Sequence, residues 1–293
     1  MNCVEYKMPF FFFLVIFSLI SFKAFSSNTE NVIYGVDNRL DLFESANTLY
    51  LKLANSTAAM IENTSLDESK DLVTILSPTL ENEGVCSDAR FAKQQTAATC
   101  SGFLVGKDLL LTAGHCVVDM NDCESYSWVF NYSNPIKEMN IFKIFKKDIY
   151  KCIKIISRSL NNKTQNDYAL IQLDRDSERP PLFIRKNSKI ADTAKLVVIG
   201  HPSGLPTKIS DGALIRSNKN KYYFQTNLDT FGGNSGSAVF DSESGQVEGI
   251  LVRGESDYVL DSVSNCQRPK VCKMNECRGE DVTRITNIKE LQY

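Results

Sequence analysis

From about Phe91 onward the chain is a series of short apolar runs separated by turn residues. TCSGFLV and LLLTA flank GKD, a spacing that predicts a β-hairpin. SWVF, IFKIF, YKCIKII and YALIQL follow. After the loop SERPP come AKLVVIGHP, YYFQTNL, SAVF and VEGILVRG. Strands this short and this regularly spaced predict an all-β barrel or sandwich rather than alternating βαβ units. Residues 27–90 are more polar and mixed: NVIYGVDNRLDLFE is partly extended, and NTLYLKLANSTAAMIENTS predicts a short helix. Near the end Val282, Ile285, Ile288 and Leu291 recur every three residues. That spacing predicts a short C-terminal helix, with Glu280 and Asp281 at its favourable amino end.

The first residues have a different texture. Lys7 precedes an apolar run from Pro9 to Ile20, too short to cross a bilayer comfortably, and Ala24-Phe25-Ser26 places small residues at a cleavage site. Residues 1–26 are expected to be a secretory signal peptide. The mature chain is then soluble, secreted to the outside or the periplasm, with no membrane partner. Of nine cysteines Cys3 leaves with the signal, and the remaining eight allow up to four disulfides. Zinc is disfavoured: there is no CxxC pair, and His115 and His201 are the only histidines. A net charge of -2 without a basic block argues against nucleic acid. Sequons stand at Asn55, Asn63, Asn131 and Asn162.

Three stretches carry candidate chemistry. In FGGNSGSAVF, glycines flank Ser235 and free the backbone for tight turns. The N–H groups of Gly233 and Ser235 can then converge on one spot and hold an oxyanion. A nucleotide-binding loop would need a following helix and fits neither phosphate motif. A serine nucleophile needs a rigidly held base. His115, at the end of the apolar run LLLTAGHC, meets that need better than His201 in the proline-rich turn IGHPSGLP. Asp167 opens DYALIQL; a carboxylate at the mouth of a core strand is costly to bury without a partner, and an imidazole N–H is such a partner.

Taken together, TAGHC, DYALIQL and GGNSGS, in that order, resemble the chymotrypsin-like serine peptidases, whose triad runs His, Asp, Ser. GNSGSAVF and IGHPSG look most like the secreted bacterial branch, which includes the glutamyl endopeptidases. The resemblance covers about residues 91–260. It implies two six-stranded antiparallel β-barrels, the first over 91–187 and the second from 188, with a cysteine-rich tail and the C-terminal helix closing the chain at 293. It implies that Ser235 attacks the scissile carbonyl, that His115 moves the proton and that Asp167 orients His115, with Gly233 and Ser235 forming the oxyanion hole. It implies a disulfide between Cys100 and Cys116 beside the histidine. No metal or cofactor is implied, and the partner is a protein or peptide substrate. Cys123 and Cys152 border neighbouring strands and can pair; the remaining connectivity is open.

The sequence also departs from the family. Asn234 stands before the nucleophile where animal digestive members carry aspartate, so their switch, an ion pair with a newly freed amino terminus, is not expected. Residues 27–90 are then either a removable pro-segment or an arm that stays packed. In VEGILVRG, Val252 and Arg253 occupy the places of a serine that bonds the triad aspartate and an aromatic that lines the pocket. Asp229, six residues before Ser235, is at the offset of the trypsin-like pocket aspartate and points to cleavage after Lys or Arg. Arg253, if it reaches the same pocket, would offset that charge. A binding protein on the same fold with silent chemistry, and a narrow-specificity processing protease, are the competing readings.

Overall fold

A computed structural model describes residues 32–134 and 142–292. The expected signal peptide lies outside the described residues. Two β-barrels make up the fold. The first closes in the order Ile149–Leu160, Asp167–Leu173, Leu109–Thr112, Ala98–Leu104, Thr57–Glu62, Tyr126–Phe130. The second consists of Lys195–Gly200, Ala238–Asp241, Val247–Arg253, Glu280–Arg284, Tyr223–Thr226 and Lys208–Ser217; pairing of the first of these with the last closes it. Alternate residues of each strand fill the interiors, among them Met60, Leu104, Leu110, Trp128, Phe130 and Ile171 in the first, and Leu196, Phe224, Val239, Leu251 and Val282 in the second. Closure leaves few unpaired strand edges, and it explains the short apolar runs of the sequence.

The first barrel does not begin at 91. Thr57–Glu62 pairs on one side with Ala98–Leu104 and on the other with Tyr126–Phe130, so removing residues 27–90 would open the barrel. Earlier still, Arg39–Asp41 adds to the second barrel beside Lys208–Ser217. The expected helix in this region is shorter than its pattern: it spans Thr48–Ala54, and the Asn47 side chain accepts the Leu49 and Tyr50 amides at its start. Residues 32–90 thus contribute strands to both barrels.

Buried charge anchors that segment. Lys208 Nζ donates to Asp41 Oδ1 at 2.6 Å, to Gln94 Oε1 at 2.8 Å and to the Pro206 carbonyl at 2.9 Å. Burial lowers the Lys208 ammonium to a pKa of about 8, against the pull of Asp41. Arg39, buried and paired with Asp37, stacks 4.1 Å over the ring of Phe231, four residues before Ser235.

The C-terminal helix also resolves differently. Glu280–Arg284 is a barrel strand, and Ile285–Asn287 and Lys289–Leu291 are short 3-10 turns. A strict three-residue repeat is the period of a 3-10 helix, whose side chains at i and i+3 eclipse. Glu280 and Asp281 therefore lie inside the sheet, not at a helix start. All eight cysteines of the described chain pair: Cys100–Cys116, Cys123–Cys152, Cys86–Cys266 and Cys272–Cys277.

Candidate active site

The nucleophile candidate sits in two overlapping turns. The Asn234 amide donates to the Phe231 carbonyl, and the Ser237 amide to the Asn234 carbonyl. Gly233 and Gly236 occupy the third positions of these turns at φ +87° and +90°, a region that side chains rarely enter. Space excludes a side chain too. A Cβ at Gly233 would stand 2.5 Å from the His201 carbonyl oxygen, and one at Gly236 would stand 2.0 Å from that of Ser101. The Gly233 and Ser235 amides have no acceptor among the described residues, as donors for a substrate oxyanion must.

His115 follows the strand Leu109–Thr112, and Asp167 begins the strand paired with it. His115 Nδ1 lies 2.8 Å from Asp167 Oδ2, while Asp167 Oδ1 accepts the Gly114 amide at 2.6 Å and the His115 amide at 3.1 Å. Asp167 is buried, so these donors offset its desolvation. Val252 brings no hydroxyl. Arg253 Nη1 instead lies 4.0 Å from Asp167 Oδ2, with its Nε bonded to Asp281 Oδ2 at 3.0 Å and Nη2 to the Gln165 carbonyl at 2.9 Å.

Ser235 is carried to this pair by main-chain contacts. The Ser235 carbonyl accepts the Ser101 amide at 2.8 Å and lies 3.7 Å from Cys116 Sγ. The His115 ring abuts the same Cys100–Cys116 disulfide, its ligand nitrogen and both sulfurs lying within 4.8 Å of one another. Those sulfurs are bonded to each other, so this cluster offers no thiolate to a metal. His115 and Ser235 thus both stand beside the Cys100–Cys116 disulfide, with Asp167 bonded to His115, although more than fifty residues separate each from the next in sequence. Among the described residues no hydrogen bond joins the Ser235 hydroxyl to His115 Nε2, which has no partner.

His201 has a structural place. It is buried and stacked against Tyr132, its Nδ1 lies 3.0 Å from the Leu205 carbonyl and must carry the proton, and burial lowers its pKa to about 3.

The family profile that matches is that of the trypsin-like peptidase domain, over residues 100–250. The chain belongs to the trypsin-like peptidase family. It is a serine endopeptidase, and protein or peptide is its substrate class. The VesB protease of Vibrio cholerae is 14% identical, with a TM-score of 0.51 over 88% of this chain and 66% of that one. A serine endoprotease from Yersinia pestis is 15% identical, with a TM-score of 0.50 over 85% of this chain and 66% of that one. A Glu endopeptidase solved with MPD is 18% identical, with a TM-score of 0.49 over 89% and 97%. At these identities the likeness is one of fold. No curated protein matches the chain.

Around the expected specificity pocket of the peptidase, the structure separates Asp229 from Arg253. Arg253 turns toward Asp167 and Asp281. Both Asp229 oxygens hold the amino-terminal arm: Oδ1 accepts the Tyr34 amide at 2.6 Å and Oδ2 the Asn38 amide at 2.9 Å. The link between arm and nucleophile loop, which Asn234 cannot make as an ion pair, is therefore made by Asp229 with backbone amides. Sequence reasoning missed Glu280. It is fully buried; Oε2 accepts the Thr230 hydroxyl at 2.6 Å and Oε1 the Glu255 amide at 3.3 Å, so it bridges the segments before Ser235 and after Arg253. Its one legible signal was a charged pair at the head of an apolar repeat.

Burial raises the Asp229 carboxyl to a pKa of about 6, although the Asn38 and Tyr34 amides pull it down. The folded protein keeps a proton there that the unfolded chain releases near pH 4. This group's contribution to stability is therefore complete below pH 4 and is lost as pH rises through about 6, an effect of roughly 3 kcal/mol. Asp229→Asn removes the titration. Urea unfolding between pH 4 and 7 is expected to show a flatter stability profile for the variant. Parallel profiles would mean that Asp229 is not the titrating group; Glu280, present in both proteins, cancels.

Proposed function

We propose that the peptidase works through a Ser235–His115–Asp167 triad and an acyl-enzyme, is secreted, and cleaves after Lys or Arg. The observation that carries the triad is the 2.8 Å contact of His115 Nδ1 with a buried Asp167 that also accepts two amides. That arrangement fixes the ring with its proton on Nδ1 and leaves Nε2 as the basic atom. Ser235 Oγ attacks the scissile carbonyl and gives its proton to Nε2. The Gly233 and Ser235 amides stabilise the oxyanion, and the imidazolium, steadied by Asp167, returns the proton to the leaving amine. Water repeats the cycle on the acyl-enzyme.

Four disulfides fit an oxidising compartment, and no helix among the described residues is long and apolar enough to cross a membrane. Basic specificity is supported by the place of Asp229, six residues before Ser235, and by the turn of Arg253 away from it toward Asp167 and Asp281.

Chromogenic peptides ending in Arg, Glu or Leu test the specificity. Hydrolysis is expected for Arg; cleavage after Glu alone overturns the basic assignment while leaving the triad intact. Labelling of the secreted protein by a fluorophosphonate at Ser235 tests the triad and separates an enzyme from a silent binding protein.

A further inference from the structure

Thr57–Glu62 and Ala98–Leu104 are antiparallel neighbours in the first barrel, a pairing that a hairpin loop of about two to five residues can join. Here residues 63–97 run between them. A detour of this length inside a compact domain is commonly functional. It first forms a small sheet, Leu66–Asp67 and Leu72–Ile75 with Lys143–Phe145. It then returns toward the nucleophile, burying Leu80 and Val85 against Leu205 and Tyr258. There it is stapled to the hairpin of Tyr258–Asp261 and Cys266–Pro269 by the Cys86–Cys266 disulfide, the Cys86 amide on the Gln267 carbonyl at 3.0 Å and the Gln267 amide on the Gly84 carbonyl at 2.9 Å.

Where the detour, this hairpin and the nucleophile loop meet, a cavity of about 350 Å³ opens. Gly232 and Gly233 form one side of it and Ala98 another. Ala98 begins the strand that carries Cys100, whose disulfide stands beside His115. The group that protonates the leaving amine must face it, so the cavity lies on the leaving-group side of the scissile bond. Leu80, Val85 and Tyr258 offer apolar walls, Glu83 and Asp257 bring carboxylates, and none of the described lining residues is cationic.

We propose that this cavity is a subsite for a basic side chain on the leaving-group side of the substrate, an inference that rests on the triad reading above. The apolar walls cover the methylene stem of a lysine or arginine, and Glu83, exposed at the mouth, meets its charged end.

Internally quenched peptides with a constant acyl side and Lys, Arg, Leu or Glu at each of the first two leaving-group positions test the assignment. The wild-type enzyme is expected to favour Lys or Arg over Glu at one position by about two- to fivefold in kcat/KM, the size of an exposed ion pair. Glu83→Lys is expected to abolish or reverse that ratio. A flat profile, a preference for Leu, or the same ratio in both proteins overturns the proposal. Binding of the same peptides to Ser235→Ala protein, followed by fluorescence anisotropy, reads the pocket without turnover. Fluorophosphonate labelling of the wild type reports on the triad separately, so failure of one reading is distinguishable from failure of the other.

Discussion

Ser235→Ala is expected to lower kcat by about 10⁴- to 10⁶-fold while leaving the fold intact. The loss is large because nucleophile, base and orienting acid act as one unit. The stability cost is small because the Ser235 hydroxyl makes no hydrogen bond among the described residues, while the turns that hold it depend on main-chain bonds and glycines. Single-turnover hydrolysis of an Arg-terminated chromogenic peptide, with thermal melting alongside, measures both. A variant that retains more than about a tenth of wild-type kcat would show that Ser235 is not the nucleophile, since residual catalysis from binding and the oxyanion donors is far smaller than that.

Asp167→Asn is expected to lower kcat by about 10⁴-fold through the wrong tautomer, not through lost structure. Oδ1 accepts two amides and Oδ2 faces His115 Nδ1. An asparagine keeps its oxygen toward the two amides, because its NH₂ there would confront two donors. The NH₂ then faces Nδ1, which must accept; the proton moves to Nε2, and the ring can no longer take one from Ser235. Melting behaviour should change little, and fluorophosphonate labelling should slow in parallel with turnover. If Asp167→Asn turns over within about tenfold of wild type, Asp167 does not orient the base. Arg253 bears on the same group: its guanidinium lies 4.0 Å from Asp167 Oδ2, so the Asp167 environment is cationic on that side.

The candidate triad was legible in the sequence because its chemistry is local and its residue types are scarce. One of only two histidines closes an apolar strand, a carboxylate opens another, and a serine lies among glycines; each string predicts its own strand end or turn. The barrels were legible for a similar reason, since alternation within a strand reports its inward face. The limits of the first barrel were not. Thr57–Glu62 looked like the tail of a helix, and only its pairing with Ala98–Leu104 and Tyr126–Phe130 makes it a barrel strand. At Val282, Ile285, Ile288 and Leu291 the repeat was seen, but a spacing of three cannot by itself separate an α-helix from a strand followed by 3-10 turns.

By itself, then, the sequence determined most strands between Phe91 and Arg253, the turn around Ser235 and the short list of groups able to act as base and acid. Tertiary structure alone decided that the early segment packs on the barrels through Asp229, Arg39 and Lys208, that Arg253 points at Asp167, and that Cys86 pairs with Cys266. The reason is reach. Alternation and turn chemistry are set by neighbours along the chain, whereas Asp229 meets Tyr34 across 195 positions and Cys86 meets Cys266 across 180, contacts that exist only once both barrels have closed.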